Sequence, residues 1–236
     1  MAGKTHGSAD QLTLAFDAVR GERGLPTSLR PMVAADGGLA FDDDDYFFEP
    51  WWPGARAFAF VEESRLRLQT EHLADPLAAF PELRVICEQL EIDGVVLDGT
   101  LLVLDHDGRP DAELLRERLA HPESGSGTGA FVASDILWRD GRDLTALPFE
   151  TRRRQLSTTL RDGDLCVVSR GLRGEGLTLA AAVAAMGLDA LSARRLAARW
   201  SPGDAADGWL RLSVVETPAA ETRPLLVLLQ RLPLDD

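Results

Sequence analysis

Strand-like and helix-like stretches follow one another along this chain without strict alternation, and that order constrains the fold more than any one motif. A repeating strand–helix order would call for a parallel sheet, whereas a mixed order calls for an α+β domain. Strand patterns occupy 57–61, 65–68, 131–138 (FVASDILW), 164–172 (DLCVVSRGL), 190–195 (ALSARR) and 209–216 (WLRLSVVE). The longest is GVVLDGTLLVLD at 94–105, which an HDGRP turn closes at 106–110;. Helical spacing appears at Phe80, Leu83, Ile86 and Leu90;. Further helices are expected over 112–119, from Pro148 to about Leu160, and over 176–187, where Gly187 ends the pattern;. A short helix is expected at 10–19, inside an otherwise polar and irregular start. The acidic run Asp42–Asp45 is expected as a solvated loop and the Ser/Gly-rich stretch 122–129 as a flexible one;. An apolar segment, 224–232, follows the last strand and is expected to pack back on the domain.

At 236 residues the chain is long enough to bury a substantial core;. No apolar run reaches the ~20 residues of a membrane helix, and the start MAGKTHGSADQ lacks the apolar stretch of a signal peptide;. Cys87 and Cys166 sit in apolar surroundings and are expected as free buried thiols, and the four histidines show no metal-ligand spacing;. These features point to a cytoplasmic protein without a membrane partner. The net charge of −13 opposes nucleic acid at long range, so weak or no binding to it is expected;. The 25 basic residues comprise one lysine, Lys4, and 24 arginines, which leaves almost no amine chemistry available.

Six pieces in order resemble the adenylation (nucleotidyltransferase) domain of bacterial ATP-dependent DNA ligases of the end-joining kind. They are LRPMVA (29–34), FEPWWPGARAFAFV (48–61), FPEL (80–83), LDGTLLVLDHDGRPD (97–111), FVASDILWRDGRDLTALPFETRRRQL (131–156) and GLDALSARRLAARWSPGDAADGWLRLS (187–213). The resemblance implies an α+β fold of two antiparallel sheets flanked by helices. It divides the chain into a flexible N-terminal extension (1–28), a ligase-like domain (29–216) and a tail packing on it (217–236). The 23 residues after Ser213 are too few for the OB-fold barrel that follows this domain in working ligases;.

In that family a lysine amine attacks ATP to form lysine–AMP, carboxylates hold the metal, and basic groups cradle the phosphates. The resemblance puts Trp51 at the lysine position and Pro53 at that of an aspartate, while Glu49, Gly54 and Arg56 keep the pattern. Gln69–His72 replaces a motif containing arginine. Asp98 and Gly99 persist, but Thr100 replaces a glutamate on the same strand face as Asp98;. Ser134 replaces the aromatic residue that stacks on adenine. Asp189 stands for glutamate, Ala190 for glycine, and Arg194 and Arg211 each for a lysine; Ser213 replaces another lysine, and Ser201, Asp204 and Asp207 dilute a basic stretch. Gly54, Gly99, Asp135, Pro202, Gly203 and Trp209 are kept as turn and packing residues.

Several of these positions admit two readings. Trp51 and Trp52 plug the vacated pocket as core, or form an aromatic platform. Arg194 sits in an ion pair, or binds phosphate. Arg152–Arg154 forms a solvated helix face, or touches DNA. Asp98 with Asp189 holds a cation, or does not. Residual ligand binding, if kept, falls to Glu49, Arg56, Asp98, Arg194 and Arg211. The expected function is a pseudo-ligase that needs no cofactor and works through an unidentified protein partner. The alternatives are a diverged ligase or nucleotidyltransferase in repair, using ATP and Mg²⁺, and a nucleotide sensor.

Overall fold

The computed structural model describes residues 24–214. The helix expected at 10–19 and the apolar segment at 224–232 lie outside the described residues, as do the side chains of Asp204 and Asp207.

Two sheets face each other. The first has the order β1 (Met32–Leu39), β11 (Gly203–Ser213), β10 (Ala190–Arg195), β2 (Asp43–Pro50) and β9 (Leu172–Gly174). The second has the order β4 (Arg65–Thr70), β3 (Ala55–Glu62), β5 (Val95–Leu104), β6 (Thr128–Arg139) and β7 (Arg142–Asp143), with β8 (Cys166–Val168) also paired to β6. Neighbours run antiparallel except β1 with β11 and β6 with β8. Five helices, α1 (Pro76–Ala79), α2 (Ile86–Gln89), α3 (Ala112–Ala120), α4 (Phe149–Thr159) and α5 (Gly176–Ala185), flank the sheets among the described residues. No helix among those residues is long and apolar enough to cross a membrane.

The β5 strand explains its own apolar sequence. Val95, Leu97, Leu101 and Val103 join Phe80, Leu83, Ile86, Leu156 and Leu160 in a core beneath the helices. Val96, Leu102 and Leu104 point the other way, into two clusters that contain residues of both sheets. A strand buried on both faces has no polar face to alternate with. Gly99 is required here because a Cβ would run into the Val132 carbonyl oxygen on β6, where the ladder register shifts.

Four local expectations change. Asp43–Asp45 opens β2 instead of lying in a loop, although all three residues stay exposed. The 80–90 stretch is a 3₁₀ turn, Pro81–Val85, running into α2, because proline favours a tight first turn and Leu90 is already extended;. The single strand expected at 164–172 is two: β8 lies in the second sheet and β9 in the first. Gly171 makes that crossing, where a Cβ would meet the Phe48 carbonyl oxygen. The last strand starts at Gly203 and ends at Ser213, not at 209 and 216.

Candidate functional site

A cleft of about 400 Å³ opens where the two sheets part. The chain passes from β2 to β3 at its edge, and the turn Trp51–Gly54 makes that passage. The Trp51 backbone N–H donates to Ala190 O at 2.9 Å and that of Gly54 to Trp52 O at 2.9 Å. Gly54 packs against the Leu101 carbonyl oxygen with no room for a Cβ. The tight turn forces the two tryptophans apart. Trp52 points into the inter-sheet core, 4% exposed, and its Nε1–H donates to Ser169 Oγ at 3.1 Å. Trp51 stays half-buried on the cleft wall. The expectation that both plug the pocket is therefore corrected for Trp51. It stacks on Trp209 at 5.8 Å and 27°, so its apolar area is covered without filling the cleft;.

The cleft's charged groups are matched to one another. Arg56 pairs with Asp98, whose Oδ2 also accepts from Trp200 Nε1 at 3.2 Å. Arg56 and Arg194 both sit over the Trp209 ring, at 4.4 and 4.5 Å;. Arg194 Nη1 donates to Asp135 Oδ2 at 3.2 Å, and its Nε lies 3.6 Å from Glu49 Oε1. Burial pushes the Arg194 pKa below the ordinary arginine value, with Glu49 and Asp135 working against that shift;. Ser192 Oγ accepts from Trp209 Nε1 at 2.8 Å and donates to Glu49 Oε1 at 3.4 Å. Glu49 is 1% exposed, lines the cleft, and its Oε2 has no hydrogen-bond partner.

The residues expected at the site separate into two groups. Glu49, Trp51, Arg56, Thr100, Ser134, Arg194 and Arg211 line the cleft, and Asp98 lies beneath it against Arg56. Pro53, Asp189 and Ser213 do not line it. Pro53 borders a separate groove beside α3. Asp189 is exposed, 3.8 Å from Arg211, and Ser213 ends β11 at the surface. Asp189 and Asp98 are engaged by different arginines, so the cation site considered for them does not form. Arg194 takes the ion-pair reading. The solvated reading of Arg152–Arg154 holds for Arg154 alone: Arg152 is 2% exposed, with Nη2 donating to Asp135 Oδ2 at 2.8 Å, and Arg153 is buried against the Ser169 carbonyl. Asp135 and Trp209 are more than packing residues, since one anchors the buried ion network and the other forms the cleft wall.

A divalent metal does not fit this donor set. Asp98 and Thr100 share the inward face of β5, but both Asp98 oxygens are engaged by Arg56 and Thr100 is neutral. Among the described residues the one metal-like grouping is Asp105–His106–Asp107, on the far turn after β5. There Asp105 Oδ1 accepts from the Asp107 and Arg109 backbone N–H groups at 2.9 and 2.8 Å, an ordinary Asx turn;.

Two facing sheets with a cleft lined by Glu49, Arg56 and Arg194 define a nucleotidyltransferase-type fold. Residues 34–212 match the family model described as "ATP dependent DNA ligase domain", and the chain belongs to that family. It is 30% identical over 213 residues to the multifunctional non-homologous end joining protein LigD of Mycobacterium bovis, covering 89% of this chain and 26% of that protein. The corresponding protein of Pseudomonas aeruginosa is 28% identical, covering 88% of this chain and 25% of that one. The chain thus spans about a quarter of the length of these relatives. A solved mycobacterial DNA ligase D complexed with ATP and MES superposes with a TM-score of 0.68 at 29% identity, covering 78% of this chain and 60% of that one.

Proposed function

We propose that this chain is a non-catalytic member of the ATP-dependent DNA ligase family, a pseudo-ligase that acts as a binding or regulatory module. One observation carries the reading: Trp51, which the resemblance puts at the position of the attacking lysine, stands on the wall of an open cleft lined by no amine among the described residues. An indole cannot attack phosphorus, and the chain's one lysine is Lys4. The relatives named for end joining support a setting beside repair proteins. The balance of −13 opposes phosphates at long range, so nicked duplex should bind weakly near ~150 mM salt;.

The test is self-adenylylation. Incubation with ATP or NAD and Mg²⁺ or Mn²⁺ should leave the intact mass unchanged. A stoichiometric AMP adduct on any residue overturns the proposal. The open cleft favours a second reading within the first, in which a small ligand is held reversibly and regulates the module.

A further inference from the structure

We infer that the outward face of α5 is the docking surface for this chain's own apolar segment, residues 224–232. The inference goes beyond the non-catalytic reading and does not depend on it.

That face differs from those of the other long helices. Gly176–Ala185 reads GLTLAAAVAA, without one charged residue. Its inward side, with Leu179, Ala180 and Val183, is buried over β2 and β10. Its outward side, with Leu177, Thr178, Ala181 and Ala185, is exposed, Leu177 at 54%. A helix lying on a core normally turns charge outward. The other two long helices do so: α3 exposes Glu113, Arg116 and Glu117, and α4 exposes Arg154. A helix apolar all round belongs between two covered sides, and α5 has one.

The chain leaves the described residues at the edge of this face. Met186 caps α5, and three residues on, Asp189 O accepts the Val214 N–H at 3.1 Å. Val214 is half-buried against the same cluster as the inward side of α5. Leu39 pairs with Ser213 and is 65% exposed. From there residues 39–42 run to the other end of α5. The Phe41 carbonyl oxygen lies against Gly176, and Asp42 Oδ1 accepts the Leu177 N–H at 2.8 Å. The exit point, residues 39–41 and α5 are therefore contiguous.

Composition and reach set the occupant. PLLVLLQRL, at 224–232, holds one charged residue, Arg231. Water disfavours such a run, and docking on α5 removes both apolar surfaces from water at once. Pro224 is ten residues beyond Val214, and ten extended residues span up to ~33–36 Å. The 10 residues of α5 make a helix about 15 Å long, so the tether reaches every part of the face;. Tethering also gives the segment an effective concentration that a second copy in dilute solution does not match. Charge agrees with this placement. Arg223 and Arg231 bracket the run, and exposed carboxylates, Glu175 and Asp189, stand beyond the two ends of α5.

The experiment is thiol footprinting of the full chain. Ala181→Cys, in the middle of the face, and Thr158→Cys, exposed on α4, are treated with iodoacetamide and read by peptide mass, which separates them from Cys87 and Cys166. Ala181→Cys should react roughly tenfold more slowly than Thr158→Cys. Adding Leu226→Asp and Leu229→Asp should restore its rate and leave that of Thr158→Cys unchanged. Thermal melts confirm that the variants are folded. Hydrogen exchange gives the reciprocal measurement: the amides of 224–232 should be protected in the parent chain, and Ala181→Arg should remove that protection. Equal reactivity of the two cysteines, protection that survives the Asp substitutions, or unprotected amides at 224–232 overturns the inference. So does protection that is lost on dilution, which would mark a second copy as the occupant. None of these outcomes bears on self-adenylylation, which tests the proposed function separately.

Discussion

Removing the Asp135 carboxylate should be among the most damaging single changes available to this fold. Asp135 is 0% exposed and serves two buried guanidiniums, Arg152 at 2% and Arg194 at 4% exposed. Asp135→Ala leaves Arg152 with the carbonyl oxygens of Leu147 and Ala198, and Arg194 with Glu49 alone. Breaking a buried ion pair by deleting one partner costs about 3–5 kcal/mol, because the surviving charge keeps its desolvation penalty. In a domain of this size each kcal/mol moves Tm by roughly 2–4 °C, so the drop should be about 6–20 °C. Asp135→Asn, which keeps one acceptor but removes the charge and sets an amide N–H₂ against a guanidinium, should also destabilise;. Urea unfolding monitored by tryptophan fluorescence gives both values, provided the m-value is unchanged. A loss below about 1 kcal/mol for Asp135→Ala would refute the view that this network is desolvated.

Three further outcomes are expected. Trp52→Ala should destabilise by about 3–5 kcal/mol as a core truncation, whereas Trp51→Ala, on the cleft wall, should cost no more than about half of that; urea unfolding of both variants separates them. Burial raises the Cys166 pKa, with Asp162 adding to the shift, so Cys166 should resist thiol reagents until the protein unfolds. Because that pKa is raised, the associated stability is complete below the unfolded value, ~8.5, and is lost as pH climbs towards the folded one, so chemical stability should decline in alkali and Cys166→Ala should flatten the decline. Trp51→Lys should not restore nick sealing, since groups that act as a unit are strongly non-additive and Thr100 and Ser134 stay in place; a ligated product on a denaturing gel would count against this.

The order of strands and helices was legible where an element declares its period, as α3 does, or where a continuous apolar run bounded by turns marks a strand, as in β5;. Adjacent residues in tight turns were not. Sequence pattern gives Trp51 and Trp52 the same apolar character, and only the turn onto β3 decides which ring enters the core. The Arg152–Arg154 run concealed a signal that was present. Phe149, Arg152, Arg153 and Leu156 follow i, i+3, i+4, i+7 spacing, which places two arginines on the buried stripe of α4;. Their acceptors, Asp135 and the Ser169 carbonyl, come from sequence-distant strands and turns, so the chain read linearly made them look solvated. Asp189 failed in the opposite sense. Its motif position suggested the site, but it lies one residue before β10, on the exposed side.

The pattern of kept and changed motif residues follows from burial. Glu49, Asp98 and Asp135, which by the resemblance keep the family's residue types, each lie in a buried ion pair whose loss would strand a charge;. Arg56 survives as the partner of Asp98. Arg194, where the resemblance implies a lysine, is still a cation, as Glu49 and Asp135 require. The positions that departed in chemistry are different in kind. Trp51, Pro53 and Thr100 are half-buried, and Asp189 and Ser213 are exposed, so the fold places little demand on their identity. Ser134, buried beside the cleft, is the exception, and there a smaller side chain enlarges the space instead of stranding a partner. A site released from catalysis would therefore keep its buried charge pairs and lose the groups that met the substrate. It would continue to look like a ligase pocket in its deepest residues while its rim took on other chemistry. Trp51, with Arg211 over its ring and stacked on Trp209, whose own ring Arg56 and Arg194 cover, stands at that rim.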